Sequence, residues 1–399
     1  MRCWGTAPVR ARRAHWQRVP PGSRAPGWHN CPRVEATLGP LIPLYERERA
    51  AGRAMALGVL VHTIGSTYRK PGALILIAAD GNYAGLISGG CLEGDLRERA
   101  RAVITSGMAA SVRYDTRSAD DLLWGLGLGC EGAMQILLLQ VGPATGWQPL
   151  AHLATALAAH ERTAIGVIVD SADEEVRPGS VVLPSDAGAG APLPRPLRAS
   201  AAQELLRRAA AYGETGWLEQ SSWKLFVLPL SLPPRILLLG AGPDALPVVD
   251  FAVRLGWKVT LVDHRAAYAV PGHFPGAESV LLARPETLAG ALDLNGFAAA
   301  IVMSHHLPSD LAYLRVLAAS AIPYLGLLGP AMRRARLLAD LGADARGLHG
   351  RLHAPVGLPL GGRSPESIAL AIVAQLHAFV HGAGFPAAMG HWEADARTT

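Results

Sequence analysis

A glycine-rich turn in the second half of the chain constrains the fold most strongly. Gly240–Ala245 reads Gly-x-Gly-x-x-Ala and lies between a short apolar run and a run with helical spacing. In a Rossmann fold the first glycine makes the tight turn, the second lets a phosphate approach, and the small third residue lets helix and strand pack closely. Asp263 follows the next strand-like run, where an acidic residue can bond a ribose hydroxyl. We therefore predict a Rossmann-type domain with Gly240, Gly242 and Asp263 as candidate cofactor-binding residues.

Two alternatives stay open for this turn. The domain can bind another nucleotide-bearing ligand instead of a dinucleotide such as NAD(P), or it can keep the Rossmann shape and bind none. Asp244 also adds a negative charge to the turn. Because the N-terminus of a helix attracts anions, that carboxylate would compete there with a phosphate.

The pattern of apolar runs predicts an α/β protein with two main domains. After Pro234, strand-like and helix-like runs alternate, which is typical of βαβ units and a parallel sheet. Before it, short strands mix with helices. We predict the following segments: a disordered or mis-started leader (1–34), an N-terminal α/β domain (35–142), a connecting region with small α/β elements and a linker (143–234), a Rossmann-like domain (235–385) and a tail (386–399).

Two local features of the N-terminal domain allow more detailed predictions. Residues 38–56 carry apolar side chains at helical spacing, so we expect one amphipathic helix there. Asp80–Gly81 stands between two apolar runs, and an Asp-Gly pair in that setting predicts a β-hairpin.

Composition excludes several classes of protein. No stretch reaches the ~18 consecutive apolar residues of a membrane-spanning helix. The net charge of +5 arises in the leader, which holds seven Arg and no acidic residue, so the remainder carries −2 and gives no reason to expect nucleic-acid binding. Four cysteines are too few for a disulfide framework in 399 residues. We therefore expect a cytoplasmic protein that binds neither nucleic acid nor membrane.

Two glycine–cysteine segments in the N-terminal domain are candidate binding loops. The first lies between a predicted strand and helix, where backbone amides favour anions and a helix N-terminus lowers the pKa of a thiol. Its candidate residues are Ser88, Gly89, Gly90, Cys91 and Glu93. The second segment alternates glycine with larger residues, and its candidates are Gly127, Gly129 and Cys130. The alternative is that both cysteines are small buried apolar residues.

A third segment, Gly65–Ala73, places Ser, Thr, Arg and Lys between two glycines. Ser66 and Arg69 could hold a phosphate or an acidic cofactor, since arginine binds phosphate through two parallel hydrogen bonds. A solvated turn is the alternative.

Ser304, His305 and His306 follow a predicted strand, and Asp310 comes shortly after them. Such side chains at the carboxyl end of a parallel strand line the ligand crevice, and they could bind a metal or move protons. Adjacent residues at a strand end point to different sides, which argues against both histidines binding one ion.

Taken in order, these segments resemble the XdhC/CoxI family. The N-terminal domain of that family is similar at Gly65–Ala73, Ser88–Glu93 and Gly125–Gly132. The Rossmann domain that usually follows it is similar at Gly240–Ala245, Ser304–Asp310, Tyr324–Gly329 and Pro355–Glu366. The resemblance runs from about residue 37 to 380 and is thin between about 143 and 230.

The resemblance implies a maturation factor rather than a turnover enzyme. Such proteins bind the molybdenum cofactor, a molybdopterin that in some cases carries a second nucleotide. They protect its sulfurated form and pass it to an apo molybdenum hydroxylase of the xanthine or CO dehydrogenase type. A cysteine desulfurase is a further implied partner, and a homodimer is the implied assembly. Cys91 matches the family cysteine, and a soft thiolate suits contact with molybdenum or a sulfur relay.

Two departures from the family pattern concern the binding loops. The family usually has proline where Tyr68 stands, and His-Val where this chain has Pro243-Asp244. Two other functions therefore remain as alternatives. One is an NAD(P)-dependent oxidoreductase that uses the Rossmann domain, and the other is a nucleotidyltransferase or sulfur-transfer enzyme acting on molybdopterin.

Overall fold

A computed structural model describes residues 38–90, 92–115, 132–185 and 200–382 of the chain. These residues form three β-sheets, two of which share one core and the third of which is a separate parallel sheet. No described helix has both the length and the apolar character needed to cross a bilayer.

The first sheet is antiparallel and has the strand order β3-β2-β1-β5-β4. Its strands are β1 (Met55–Gly65), β2 (Leu74–Ala78), β3 (Tyr83–Gly85), β4 (Ala110–Asp115) and β5 (Gly132–Val141). Helices α1 (Ile42–Ala50) and α2 (Glu93–Ser106) lie on its two faces, α1 in the core cluster of one face and α2 in that of the other.

The prediction of one helix over 38–56 is wrong at both ends. A short 3₁₀ turn precedes α1, the helix ends at Ala50, and β1 already begins at Met55. The apolar residues at 55–57 belong to the sheet, where their side chains are fully buried, and Gly52 (φ +66°) provides the left-handed residue that follows the helix. The hairpin at Asp80–Gly81 is confirmed, because β2 and β3 pair there with Ile77 opposite Tyr83.

The second sheet has the order β7-β6-β9-β8. Its strands are β6 (Ala164–Ser171), β7 (Val181–Val182), β8 (Gly216–Glu219) and β9 (Trp223–Pro229), accompanied by α3 (Leu150–Ala159) and α4 (Ser200–Tyr212). Val167 and Phe226 from this sheet lie in the same apolar cluster as Val59 and Leu139 from the first. The segment interpreted as a connecting region thus supplies a sheet to the N-terminal core.

The third sheet is parallel and has the order β12-β11-β10-β13-β14-β15. Its strands are β10 (Arg235–Leu239), β11 (Lys258–Asp263), β12 (Ser279–Leu282), β13 (Ala299–Val302), β14 (Leu325–Leu327) and β15 (Leu352–His353). Numbered within the domain, this order is 3-2-1-4-5-6, the doubly wound order of Rossmann folds. The predicted α/β class and the predicted parallel sheet are therefore confirmed.

Helices cover both faces of this sheet. Helices α5 (Ala245–Arg254) and α9 (Pro365–Val380) contribute to the apolar cluster on one face. Helices α6 (Leu288–Ala291), α7 (Leu307–Ala318) and α8 (Ala331–Leu341) contribute to the cluster on the other. The direction of the strand order reverses between β10 and β13, and ligands of open α/β sheets bind at such a point, beyond the carboxyl ends of the strands.

Candidate functional site

The described parts of the three glycine segments meet at one end of the first sheet. Gly65 and Gly132 face each other as the last pair of the β1–β5 ladder. A Cβ atom on Gly132 would stand 2.3 Å from the carbonyl oxygen of Ser66 and 2.8 Å from the methyl group of Thr67. Only glycine permits this approach, so the end of the 125–132 segment packs directly on the 65–73 segment.

The segment Ser88–Glu93 joins the same end of the sheet through an aromatic contact. The ring of Tyr68 lies 3.7 Å from where a Cβ atom of Gly89 would be. Gly89 and Gly90 have φ values of +72° and +111°, which side chains other than glycine rarely adopt. The described residues of the 65–73 and 88–93 segments and Gly132 therefore lie together at one end of the first sheet.

The loop before α2 wraps around the carboxylate of Glu93. One oxygen, Oε1, accepts hydrogen bonds from the backbone amides of Ile87 (3.4 Å) and Ser88 (3.1 Å). The other, Oε2, accepts from the Ser88 hydroxyl (2.5 Å) and from the amides of Gly90 (3.1 Å) and Leu92 (3.2 Å). Glu93 is only 3% exposed, so these bonds form out of water.

Because of these bonds, the amides of the predicted anion-binding loop are occupied by a side chain of the protein itself. Burial alone would raise the pKa of Glu93, but the hydrogen bonds from Ser88 and from the loop amides outweigh it and lower the pKa below its usual value. The four amides are thus already bonded to an anion that belongs to the protein. Glu93 shapes the loop, and what the loop presents to a ligand is its outer surface.

The other candidates of this surface are placed as follows. Ser66 is exposed, and Arg69 is half-buried in the turn that Thr67 closes by donating its hydroxyl hydrogen to the Arg69 carbonyl oxygen at 2.8 Å. Cys91, Gly127, Gly129 and Cys130 lie outside the described residues, as does the predicted molybdenum contact of Cys91. Their roles stay predictions.

The Gly240 turn begins the crevice of the third sheet. Gly240 has φ +122°, and a Cβ atom there would stand 2.5 Å from the carbonyl oxygen of Met303 at the end of β13. The backbones that follow β10 and β13 therefore touch at the point where the strand order reverses. This contact requires glycine for packing as well as for the turn.

Asp263 lies beside the turn but is bonded on both oxygens. Its Oδ2 accepts from the amide of Ala241 (2.9 Å) and from Arg265 Nη2 (2.7 Å), and its Oδ1 accepts from the Arg265 amide and Nε, both at 2.9 Å. Asp263 is fully buried. Burial would raise its pKa, but the bonds from Arg265 and the Ala241 amide lower it. In this conformation the carboxylate fixes the glycine turn, and its predicted bond to a ribose would require Arg265 to move.

Asp244 and His305 form a second pair across the crevice. The Oδ1 atom of Asp244 lies 2.7 Å from where a Cβ atom of Gly242 would be, and its Oδ2 atom lies 2.7 Å from His305 Nε2. Asp244 stands at the N-cap of α5 without capping the helix through its side chain. The carboxylate therefore lies against Gly242, where the phosphate of a dinucleotide would approach.

The remaining polar residues of the crevice pair with one another. Asp310 accepts a hydrogen bond from the Ser304 hydroxyl and two from Arg333, at 3.1 Å (Nε) and 2.5 Å (Nη2). His306 Nδ1 lies 2.9 Å from the Ser309 hydroxyl. Within the described ranges no three His, Cys, Asp or Glu residues are placed to hold a metal ion.

Sequence reasoning missed Arg265 and Arg333. Arg265 stands two residues after Asp263, and residues at i and i+2 of an extended segment share a face, so the spacing Asp-x-Arg is a signal for this pair. Arg333 is 23 residues from its partner Asp310, and no local pattern indicates that bond.

Comparisons with known proteins identify both halves of the chain. Residues 48–115 match the model of the XdhC and CoxI family, and residues 236–376 match the model of the XdhC Rossmann domain. A protein of Bacillus subtilis (strain 168) that is named as a probable xanthine dehydrogenase subunit is 30% identical over 322 residues, which cover 80% of this chain and 91% of that protein. The chain belongs to the XdhC/CoxI family.

Two further relatives agree with this assignment. The molybdenum cofactor insertion chaperone PaoD of Escherichia coli (strain K12) is 23% identical over 331 residues, which cover 82% of this chain and 83% of that protein. A crystal structure described as a xanthine dehydrogenase from Bacillus halodurans superposes with a TM-score of 0.69 at 29% identity, over 85% of this chain and 95% of that one. The resemblance drawn from the sequence segments is therefore confirmed, and it extends through both domains.

Proposed function

We propose that this protein binds the molybdenum cofactor, supports its sulfuration and promotes its insertion into a xanthine-dehydrogenase-type molybdenum hydroxylase. The observation that carries the proposal is that the described residues of the 65–73 and 88–93 segments meet Gly132 at one end of the first sheet. Membership of the XdhC/CoxI family supports it, as does the similarity to a relative named as a molybdenum cofactor insertion chaperone.

The surface formed by these segments suits a flat, phosphate-bearing cargo. A Cβ atom on Gly90 would meet no described atom within 4 Å, so the loop offers bare backbone on that side. Ser66 and Arg69 stand in the neighbouring segment, and a guanidinium suits a phosphate group. Cys91 follows Gly90 in the chain, and as a thiolate it would offer molybdenum a soft ligand. We assign Ser66, Arg69, Ser88, Gly89, Gly90 and Cys91 to the cargo site in this proposal.

The partners follow from the proposed reaction. The cargo must leave for an apo molybdenum hydroxylase of the xanthine or CO dehydrogenase type, and a cysteine desulfurase would supply sulfur. A cytoplasmic homodimer acting as a chaperone completes the proposal. Mass spectrometry of the cofactor released from the purified protein would show whether it arrives as a mononucleotide or a dinucleotide.

The first experiment measures cargo. The protein is purified from a host that makes the molybdenum cofactor, alongside Cys91→Ala and, as the matched control, Cys31→Ala in the predicted leader. We expect wild type and Cys31→Ala to carry molybdenum and pterin, measured by elemental analysis and by pterin fluorescence after oxidation, and Cys91→Ala to carry far less. Near-zero loading of the wild type would overturn the proposal.

The second experiment measures delivery. Loaded protein is mixed with a cofactor-free hydroxylase, and the hydroxylase activity is followed with time and compared with the same amount of cofactor released by heat. Faster activation by the intact protein supports an insertion role. Equal activation by the released cofactor would show that the protein carries the cofactor but does not promote its insertion.

A second candidate function, NAD(P)-dependent oxidoreduction, is favoured only by the Rossmann strand order and the Gly240 turn. Two features oppose it. The carboxylate expected to bind a ribose is bonded to Arg265, and the Asp244 carboxylate lies against Gly242. A titration with NADH and NADPH decides between the candidates, and the absence of binding at millimolar concentration would set the oxidoreductase aside.

A further inference from the structure

The ring of Tyr68 is largely in water. It is 59% exposed, although it lies between two packed segments. On one side the ring contacts the backbone at Gly89, with the Cγ, Cδ2 and Cε2 atoms 3.7–3.9 Å from the position of an added Cβ. Three ring atoms at nearly equal distance place the ring flat against this glycine rather than edge-on.

The backbone beneath the ring is bare and fixed. Gly89 and Gly90 have no side chains, and nothing in the described part of the chain lies within 4 Å of a Cβ built on Gly90. The loop is also held from inside, because the Glu93 carboxylate bonds the amides of Ser88, Gly90 and Leu92. One face of the exposed ring therefore rests on Gly89, beside backbone at Gly90 that is open among the described residues and is already ordered before a ligand binds.

We propose that Tyr68 is a stacking residue for a planar heterocycle that lies on the ring face turned away from Gly89. This inference rests on the proposed function and names the part of the cargo that the tyrosine recognises: the pterin ring, or the nucleobase if the cargo carries a second nucleotide. Aromatic side chains bind such rings through their π-faces, and a tyrosine does so with little loss of side-chain entropy. The hydroxyl at the ring tip tolerates water, which suits a ring left exposed until the cargo arrives.

The test compares Tyr68→Ala, Tyr68→Phe and Tyr83→Ala in the full-length protein. Tyr83, on β3, is 44% exposed and serves as the matched control. The probes are 6-hydroxymethylpterin and CMP, each titrated alone by calorimetry. Since stacking on one aromatic side chain contributes about 5- to 150-fold in affinity, Tyr68→Ala should weaken binding of one probe by that factor. Tyr68→Phe should stay within about twofold of the wild type, and Tyr83→Ala should change nothing.

The outcomes separate this inference from the proposed function. The probe that loses affinity identifies the stacked ring as pterin or cytosine. Unchanged binding in Tyr68→Ala, or no binding of either probe by the wild type at millimolar concentration, overturns the stacking role, even where the purified wild type carries molybdenum and pterin. A wild type without cargo overturns the proposed function itself. Because Tyr68 is exposed, its variants should melt at the wild-type temperature, which checks that folding is intact.

Discussion

The Glu93 carboxylate gives the sharpest test of how the binding loop is built. Glu93→Gln keeps the shape of the side chain but replaces one oxygen by an NH₂ group, which can only donate. With the amide oxygen at the Oε2 position, the bonds from the Ser88 hydroxyl, Gly90 and Leu92 survive. The amides of Ile87 and Ser88 then face another donor and lose their acceptor.

The expected cost follows from those two amides. A buried donor left without an acceptor costs about 1–3 kcal/mol, and the Ile87 bond is long at 3.4 Å, so the total is about 2–4 kcal/mol. Expressed as a local opening equilibrium, this is about a 30- to 1,000-fold increase in opening of the loop. The effect should be confined to the loop, because α2 remains anchored through Leu96 and Val103 in the apolar cluster.

Hydrogen exchange measured by mass spectrometry reads this opening directly. In Glu93→Gln the peptide covering residues 86–96 should exchange faster by that factor, while peptides from β1 and β5 stay as in the wild type. Glu98→Gln is the matched control, since Glu98 lies on the same helix with its side chain 75% exposed. Equal exchange in the two variants would refute the idea that the carboxylate organises the loop.

Three further predictions concern the Rossmann domain. Gly240→Ala should destabilise it by about 3 kcal/mol or more in urea unfolding, because the added Cβ meets the Met303 carbonyl oxygen at φ +122°, whereas Gly272→Ala, with open space around it, should be nearly neutral. Asp263 has a folded-state pKa below its unfolded value of about 4, so its contribution is present above that pH and is lost as the pH falls through the folded pKa. Asp263→Asn should therefore destabilise the protein at pH 7 and converge with the wild type in acid. If NADH binds at all, Asp244→Asn should tighten it several-fold in a fluorescence titration, since a competing carboxylate is removed.

The fold could be predicted largely from the sequence because its elements depend on local patterns. The alternation of apolar runs after Pro234, together with the Gly240 turn, indicates βαβ units, and the structure has the parallel sheet that such units form. The same reasoning failed at 38–56, where helical spacing continues into residues that belong to a strand. Met55 and Leu57 pair with β2 and β5 and are buried in the apolar cluster that the sheet shares with α1 and the second sheet, a tertiary effect that no window of sequence contains.

The candidate sites show the limit of motif reasoning more clearly. The glycines of the first loop indicate amides arranged for an anion, and the structure contains such amides. The sequence does not say that the anion is Glu93, because a carboxylate near a helix N-terminus serves equally as a ligand contact or as a structural acceptor. Likewise Asp263 stands where a ribose contact is expected, and only the position of Arg265 shows that the carboxylate is already bonded.

A common principle connects the two sites and explains why their glycines are not equivalent. In both, a buried carboxylate of the protein accepts hydrogen bonds from backbone amides of the glycine turn. Glu93 accepts them from amides of its own loop, and Asp263 accepts one from the amide of Ala241. Such a carboxylate makes the turn rigid but takes up amides that an anionic ligand would use.

The N-terminal loop keeps a further surface, with bare glycine backbone beside the exposed ring of Tyr68. In the crevice, by contrast, Asp244 and His305 add another internal pair at Gly242. An anionic ligand there must displace a carboxylate, whereas a planar ligand on the open face of Tyr68 displaces no side chain among the described residues. The balance of contacts therefore favours the N-terminal surface as the place where the cargo binds.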